Sequence, residues 1–134
     1  MSDVGALHDA AGRGDVNAIQ QIIESGVDVN AAAAGDGETA LHAAAVSGQV
    51  VAIRALVKAG ANVNASDAQG CTPLLFALAF GGKDAIIELL QSGADPYVED
   101  AVGRNAFDRA AARGFQGEWG KLYEYYDHYY NPIS

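Results

Sequence analysis

A glycine-led motif recurs along this 134-residue chain at a fixed interval. The motif GETALH begins at Gly37, a related segment begins at Gly70, and a more divergent one begins at Gly103, so each step is 33 residues. A second series of glycines keeps nearly the same interval, at Gly26, Gly60 and Gly93. A period of this length predicts a stack of small helical units, because each unit buries its apolar face against its neighbour.

The residues of the third unit predict two helices and a loop. The pair Thr72-Pro73 is typical of a helix start, since threonine accepts free N–H groups and proline has none to leave unpaired. Gly81-Gly82 predicts the end of this helix, and a second helix is predicted from Lys83 to the glycine at Gly93. Each unit is therefore predicted to be a helix, a turn, a second helix and a finger-like β-hairpin.

Four such units account for the chain as one domain, 1–134. Their approximate bounds are 1–30 as an N-terminal cap, 34–64, 67–97, and 100–134 as a C-terminal cap. The first finger carries one extra residue, because Asn30 to Gly37 is seven steps whereas Asn64 to Gly70 is six. The expected fold is a solenoid dominated by α-helix.

Aromatic residues crowd the end of the chain. Trp119, Tyr123, Tyr126 and Tyr130 recur at near-helical spacing, which predicts an apolar stripe that seals the last unit. Tyr125 and Tyr129 fall off that stripe and form a candidate second contact surface. Whether these tyrosines cap the fold or contact a partner stays open at this point.

The chain resembles the ankyrin-repeat family over almost all its length. The tetrapeptides at 39–42 and 72–75 match the Thr-Pro-Leu-His signature of that family, although only the first keeps its histidine. The resemblance implies that His42 ties its helix to the neighbouring hairpin. Leu75 and Asp108 stand in the equivalent positions and lack that ring, so looser junctions are expected there.

The composition excludes several classes of function. A formal charge of -9 repels nucleic acid and anionic membranes and suits a partner with a basic surface. The single cysteine, Cys71, rules out an internal disulfide. No apolar run is long enough for a membrane span, so we expect a cytoplasmic protein. We also expect the protein to be monomeric when isolated. The three histidines and one cysteine form no zinc-binding or nucleophile–base pattern, so we expect no metal, no cofactor and no enzyme activity.

The resemblance implies that a protein partner meets the concave face formed by fingers and first helices. At the repeat period the candidate contact residues are Arg13, Asp36, Glu38, Ser47, Gln69, Cys71, Phe80, Val102, Arg104 and Arg113, with Tyr125 and Tyr129 at the C-terminus. Acidic residues at the predicted fingers are Asp36, Glu38, Asp67, Glu99 and Asp100, and they act either as turn formers or as an acidic rim. The expected function is a stand-alone adaptor or inhibitor; the alternative is a constitutive structural subunit of a larger complex.

Overall fold

The computed structural model describes residues 4–112. This part of the chain contains seven α-helices: α1 (Val4–Arg13), α2 (Val16–Glu24), α3 (Ala40–Val46), α4 (Val50–Lys58), α5 (Pro73–Phe76), α6 (Lys83–Gln91) and α7 (Ala106–Ala112). A π-helical segment, Ala77–Gly81, continues α5. The predicted pattern of paired short helices is therefore observed, with α7 beginning at the first-helix position of the fourth predicted unit.

The helices lie in two layers. The first helices of successive units, α1, α3, α5 with its π-helical segment, and α7, pack side by side, while α2, α4 and α6 form the second layer behind them. The core between the layers consists of alanine, leucine and isoleucine side chains, and its largest fully buried members include Leu7, Ile19, Leu41, Ile53, Leu56, Leu74, Leu89 and Leu90. The many buried alanines allow neighbouring helices to approach closely.

Side chains of the predicted types cap the helices. The Thr39 hydroxyl accepts the His42 N–H, and the Thr72 hydroxyl accepts the Leu75 N–H. In the last described unit Asn105 accepts the Asp108 N–H, and the Asp108 carboxylate accepts the Asn105 N–H in return, both at 2.9 Å. Asp108 therefore completes a reciprocal capping box with Asn105. The sequence predicted only that Asp108 would lack the hydrogen bonds of the histidine it replaces, and not that it would help to cap the helix.

The fingers are turns rather than the expected β-hairpins, and residues 4–112 contain no strand. A backbone hydrogen bond joins the two ends of each finger: Asp67 N–H to Cys71 C=O, Asp100 N–H to Arg104 C=O, and Ala33 N–H to Glu38 C=O. A second backbone bond lies within each loop. The carboxylates of Asp67 and Asp100 each accept two further N–H groups, which removes those donors from any strand ladder. The loop between the two bonded ends is one residue longer in the first finger than in the other two, as the sequence predicted.

Neighbouring fingers are joined to one another. The Ala68 N–H donates to the Asp36 carbonyl at 2.8 Å, and the Ala101 N–H donates to the Gln69 carbonyl at 2.9 Å. At the base of the fingers, the side-chain amide of Asn30 donates to the Gly60 carbonyl while its oxygen accepts the Asn62 N–H at 2.7 Å. Asn64 repeats this bridge to Gly93 and Asp95. These bonds hold successive units in register.

The turn between helices differs in the third unit. Gly14 and Gly48 end α1 and α3 with positive φ angles of 74° and 67°, whereas in the third unit the positive φ, 84°, occurs one residue later, at Gly82. Gly81 instead lies against the Ala45 carbonyl, where a Cβ atom would clash. The helix therefore runs one residue further, and the Gly82 N–H closes it on the Ala77 carbonyl with π-type spacing.

Candidate protein-binding surface

The predicted contact residues fall at two kinds of position. Arg13, Ser47 and Phe80 lie at or just beyond the C-terminal ends of the first helices, and all three are exposed. The other described candidates occupy the three fingers: Asp36 and Glu38, Gln69 and Cys71, Val102 and Arg104. Arg113, Tyr125 and Tyr129 lie outside the described residues, as does the stripe of Trp119, Tyr123, Tyr126 and Tyr130.

Phe80 is the most exposed large apolar side chain of this surface, with 78% of its area accessible to solvent. It lies in the π-helical segment immediately before Gly81, whose contact with Ala45 fixes the backbone there. The exposure argues against the alternative that the ring leans onto the neighbouring unit. A large exposed aromatic ring is typical of a contact site, since such rings often supply the energy of protein interfaces.

The first finger is acidic. The Asp36 carboxylate accepts the Glu38 N–H at 2.9 Å, so Asp36 serves as a turn former as well as a charge. The pKa of Glu38 is raised, first by partial burial and then by the negative charges of Asp36 and Asp67, while His8 opposes the shift. Crowding of like charges therefore gives this finger a concentrated negative potential.

The second finger presents a half-buried thiol. The Cys71 N–H donates to Asp67 at 2.8 Å, and its Sγ atom lies 3.9 Å from Arg109 Nη2. Burial, followed by the charge of Asp67, raises the pKa of the Cys71 thiol. A raised pKa leaves little thiolate at neutral pH, so this cysteine is a weak nucleophile and suits a structural position.

An ion pair that the sequence did not predict joins the third finger to α7. Arg109 Nη2 lies 2.7 Å from the carboxylate of Asp100, a buried residue. Backbone hydrogen bonding from Arg104 and the pairing with Arg109 lower the pKa of Asp100. Asp100 therefore stays ionised, and the positive charge of Arg109 balances its negative charge within the fold. The acidic rim is reduced to Asp36, Glu38, Asp67 and Glu99.

Both histidines of the described residues serve the stack. The buried ring of His42 accepts the Thr39 N–H at Nδ1, 3.1 Å, and donates from Nε2 to the Cys71 carbonyl, 2.8 Å. Phe76 packs edge-on against this ring with centroids 5.0 Å apart. His8, one repeat earlier, lies within 3.2 Å of the Ala31 carbonyl. The role implied for His42 by the family resemblance is therefore observed.

No group of three or more histidine, cysteine, aspartate or glutamate residues within 4–112 is arranged to hold a metal ion. None of the helices of the same range combines the length and the apolar character that a bilayer span requires.

Stacked helical pairs joined by fingers define the class of repeat proteins whose units present an extended surface to other proteins. A family model described as ankyrin repeats, three copies, matches residues 7–100. The chain belongs to the ankyrin-repeat family, and members of this family are in general non-enzymatic modules for protein–protein interaction. Comparison with curated proteins gave no match.

Proposed function

We propose that this protein acts as a stand-alone adaptor or inhibitor that binds one protein partner through the finger and first-helix face. The family supplies the general role of protein binding. The observation that favours this face is the exposure of Phe80, because the fold holds a large ring in solvent at the end of a first helix. Arg13, Ser47 and Arg113 are the equivalent members of the same row in the other units.

Substitutions across the two layers test the proposal. The partner is first identified by affinity capture from the native cell and then purified, so that its affinity for each variant can be measured by calorimetry. Phe80→Ala and Arg113→Ala are each expected to weaken binding by about tenfold or more, where tenfold is ~1.4 kcal/mol.

Matched controls come from the second layer. Arg54→Ala and Lys58→Ala change exposed residues of α4, and we expect the affinity to stay within about twofold of the parent. Circular dichroism confirms that each variant is folded. Equal affinity of all four variants would place the contact surface elsewhere, and Tyr125 and Tyr129 would then be tested next.

A further inference from the structure

The three fingertips form a row along which the chemical character of the side chains changes. Asp36, Gln69 and Val102 occupy equivalent positions at successive tips, and the tips are joined by the backbone bonds from Ala68 to Asp36 and from Ala101 to Gln69. Glu38, Cys71 and Arg104 form a second set of equivalent positions. Along the row the side chains change from acidic, through neutral, to apolar and basic.

The Asp36 end of the row carries negative charge that His8 offsets only in part. Asp36, Glu38 and Asp67 make no ion pair with any residue in the range 4–112. Their proximity is visible in Glu38, whose pKa is raised first by burial and then by the other two carboxylates, with His8 acting in the opposite direction. A cationic side chain placed here would relieve this repulsion.

The opposite end of the row is apolar at its tip. Val102 is 75% exposed, and the buried Asp100 beneath it is paired with Arg109. Glu99 and Arg104 are both exposed and carry opposite charges, so this end has little net field. The Val102 end of the row therefore offers an apolar contact, whereas the Asp36 end offers an ionic one.

We infer that the fingertip row accepts an extended segment of a partner protein in one direction, with a cationic stretch against Asp36 and Glu38 and an apolar stretch against Val102. This inference rests on the proposed function and adds to it the chemistry and polarity of the partner. The fixed register of the fingers makes the two ends distinguishable to the partner. Ionic attraction at one end selects the orientation, and apolar contact at the other adds affinity.

A synthetic peptide with a lysine-rich half and a leucine-rich half, spin-labelled at the lysine end, tests the orientation. In NMR spectra of the labelled full chain, the amide signals of 34–38 are expected to broaden more than those of 101–104. Moving the label to the leucine end is expected to reverse the pattern. Raising the salt concentration is expected to weaken binding, because the first contact is ionic.

Near-isosteric substitutions show which charged residues contribute to the affinity for the peptide. Asp36→Asn keeps the oxygen that accepts the Glu38 N–H, so the double variant D36N/E38Q removes two charges without removing the turn bond. We expect it to weaken peptide binding about fivefold, as the loss of two ionic contacts at the protein surface predicts. The matched control E24Q/D84N removes two exposed charges from α2 and α6 and is expected to leave the affinity unchanged.

Three outcomes would overturn the inference: no binding of the peptide below about 1 mM, equal broadening at both ends of the row, or the same loss in the control variant as in D36N/E38Q. None of them affects the proposed function, because that proposal is judged on the natural partner and on Phe80. Conversely, an unaltered partner affinity in Phe80→Ala would count against the proposed face while the peptide result stood.

Discussion

At the scale of single residues, the polar side chains that join one unit to the next fix the geometry of this protein. His42 is the best example, since one ring both accepts the N–H of its own helix cap and donates to the following finger. Only a neutral ring with its hydrogen on Nε2 can do both. Leu75 fills the equivalent place in the next unit and packs there as a fully buried apolar side chain.

The neutral state of His42 makes stability depend on pH. Burial lowers its pKa, so the folded protein takes up a proton less readily than the unfolded chain. Its contribution is complete above the ordinary histidine pKa of 6.5 and is lost as the pH falls toward the folded value. Urea unfolding at pH 7.5 and 5.5 is expected to show a lower free energy of unfolding at the lower pH.

The variant His42→Leu isolates this effect, because it copies the natural residue of the next unit. We expect it to lose about 1–3 kcal/mol at neutral pH, since the Thr39 N–H and the Cys71 carbonyl are left unpaired. Its pH dependence between the same two values is expected to be smaller than that of the parent. An unchanged pH dependence would assign the effect to other titrating groups.

The pair of Arg109 and Asp100 is expected to stabilise the fold more than the exposed pair of Arg54 and Glu88 does. Arg109→Ala leaves the buried Asp100 carboxylate without its cation, and we expect the free energy of unfolding to fall by about 2 kcal/mol, less than for a fully buried pair because the guanidinium is partly exposed. Arg54→Ala breaks an ion pair whose arginine is 64% exposed and is expected to cost under about 1 kcal/mol. The free energy of unfolding of both variants is measured by urea unfolding. Equal losses in the two variants would contradict the larger contribution expected from the pair of Arg109 and Asp100.

At the scale of helices and turns, close backbone contact between units sets the third unit apart. Gly81 lies against the Ala45 carbonyl, and Gly48 lies against the carbonyl of Gly81, so neither position has room for a side chain. This contact accompanies the π-helical segment that carries Phe80. The geometry of the candidate surface therefore depends on two glycines that make no contact with a partner themselves.

Substitution of Gly81 by alanine is expected to lower the free energy of unfolding by about 1–3 kcal/mol, the usual cost of forcing extra atoms into a packed site. The control Gly5→Ala lies within α1, where an added Cβ meets no atom within 4 Å, and is expected to stabilise slightly because alanine favours helix. Thermal melts of the two variants compare them directly. A G81A protein as stable as G5A would show that the contact is not tight in solution.

Much of this level of structure could be predicted from the sequence, and the exceptions have physical causes. Capping at Thr72 depends on neighbouring residues only, so it was predicted correctly. The pairing of Arg109 with Asp100 depends on how a helix and a finger are placed in three dimensions, which the repeat period does not reveal. The β-hairpins expected at the fingers are not shown within residues 4–112, where aspartate carboxylates accept several of the N–H groups of the fingers.

At the scale of the whole molecule, stability belongs to the stack rather than to any one unit. Core side chains lie between helices of adjacent units, and the polar bridges of Asn30 and Asn64 cross from one unit to the next. A unit without its neighbour would expose that core to water. A change at one end of the array is therefore expected to affect its neighbours.

The C-terminal aromatic residues are expected to stabilise the stack as a whole. Trp119 and the residues after it lie outside the described range, and we expect their deletion to destabilise the whole array because an apolar stripe would be lost. Burial of one large aromatic side chain contributes about 1.5–3 kcal/mol, against ~5–15 kcal/mol for a small domain. A truncated chain, 1–118, that melts at the temperature of the full chain would exclude a capping role.

The extra residue of the first finger shows where this protein tolerates a change in length. It lies between Ala33 and Glu38, within the loop that their backbone bond closes, so the helices on either side keep their spacing. An insertion inside a helix would instead shift every later side chain against the neighbouring unit. Fingertips are thus the positions at which descendants of this chain can lengthen their contact loops and acquire new partners, while the helical stack is inherited unchanged.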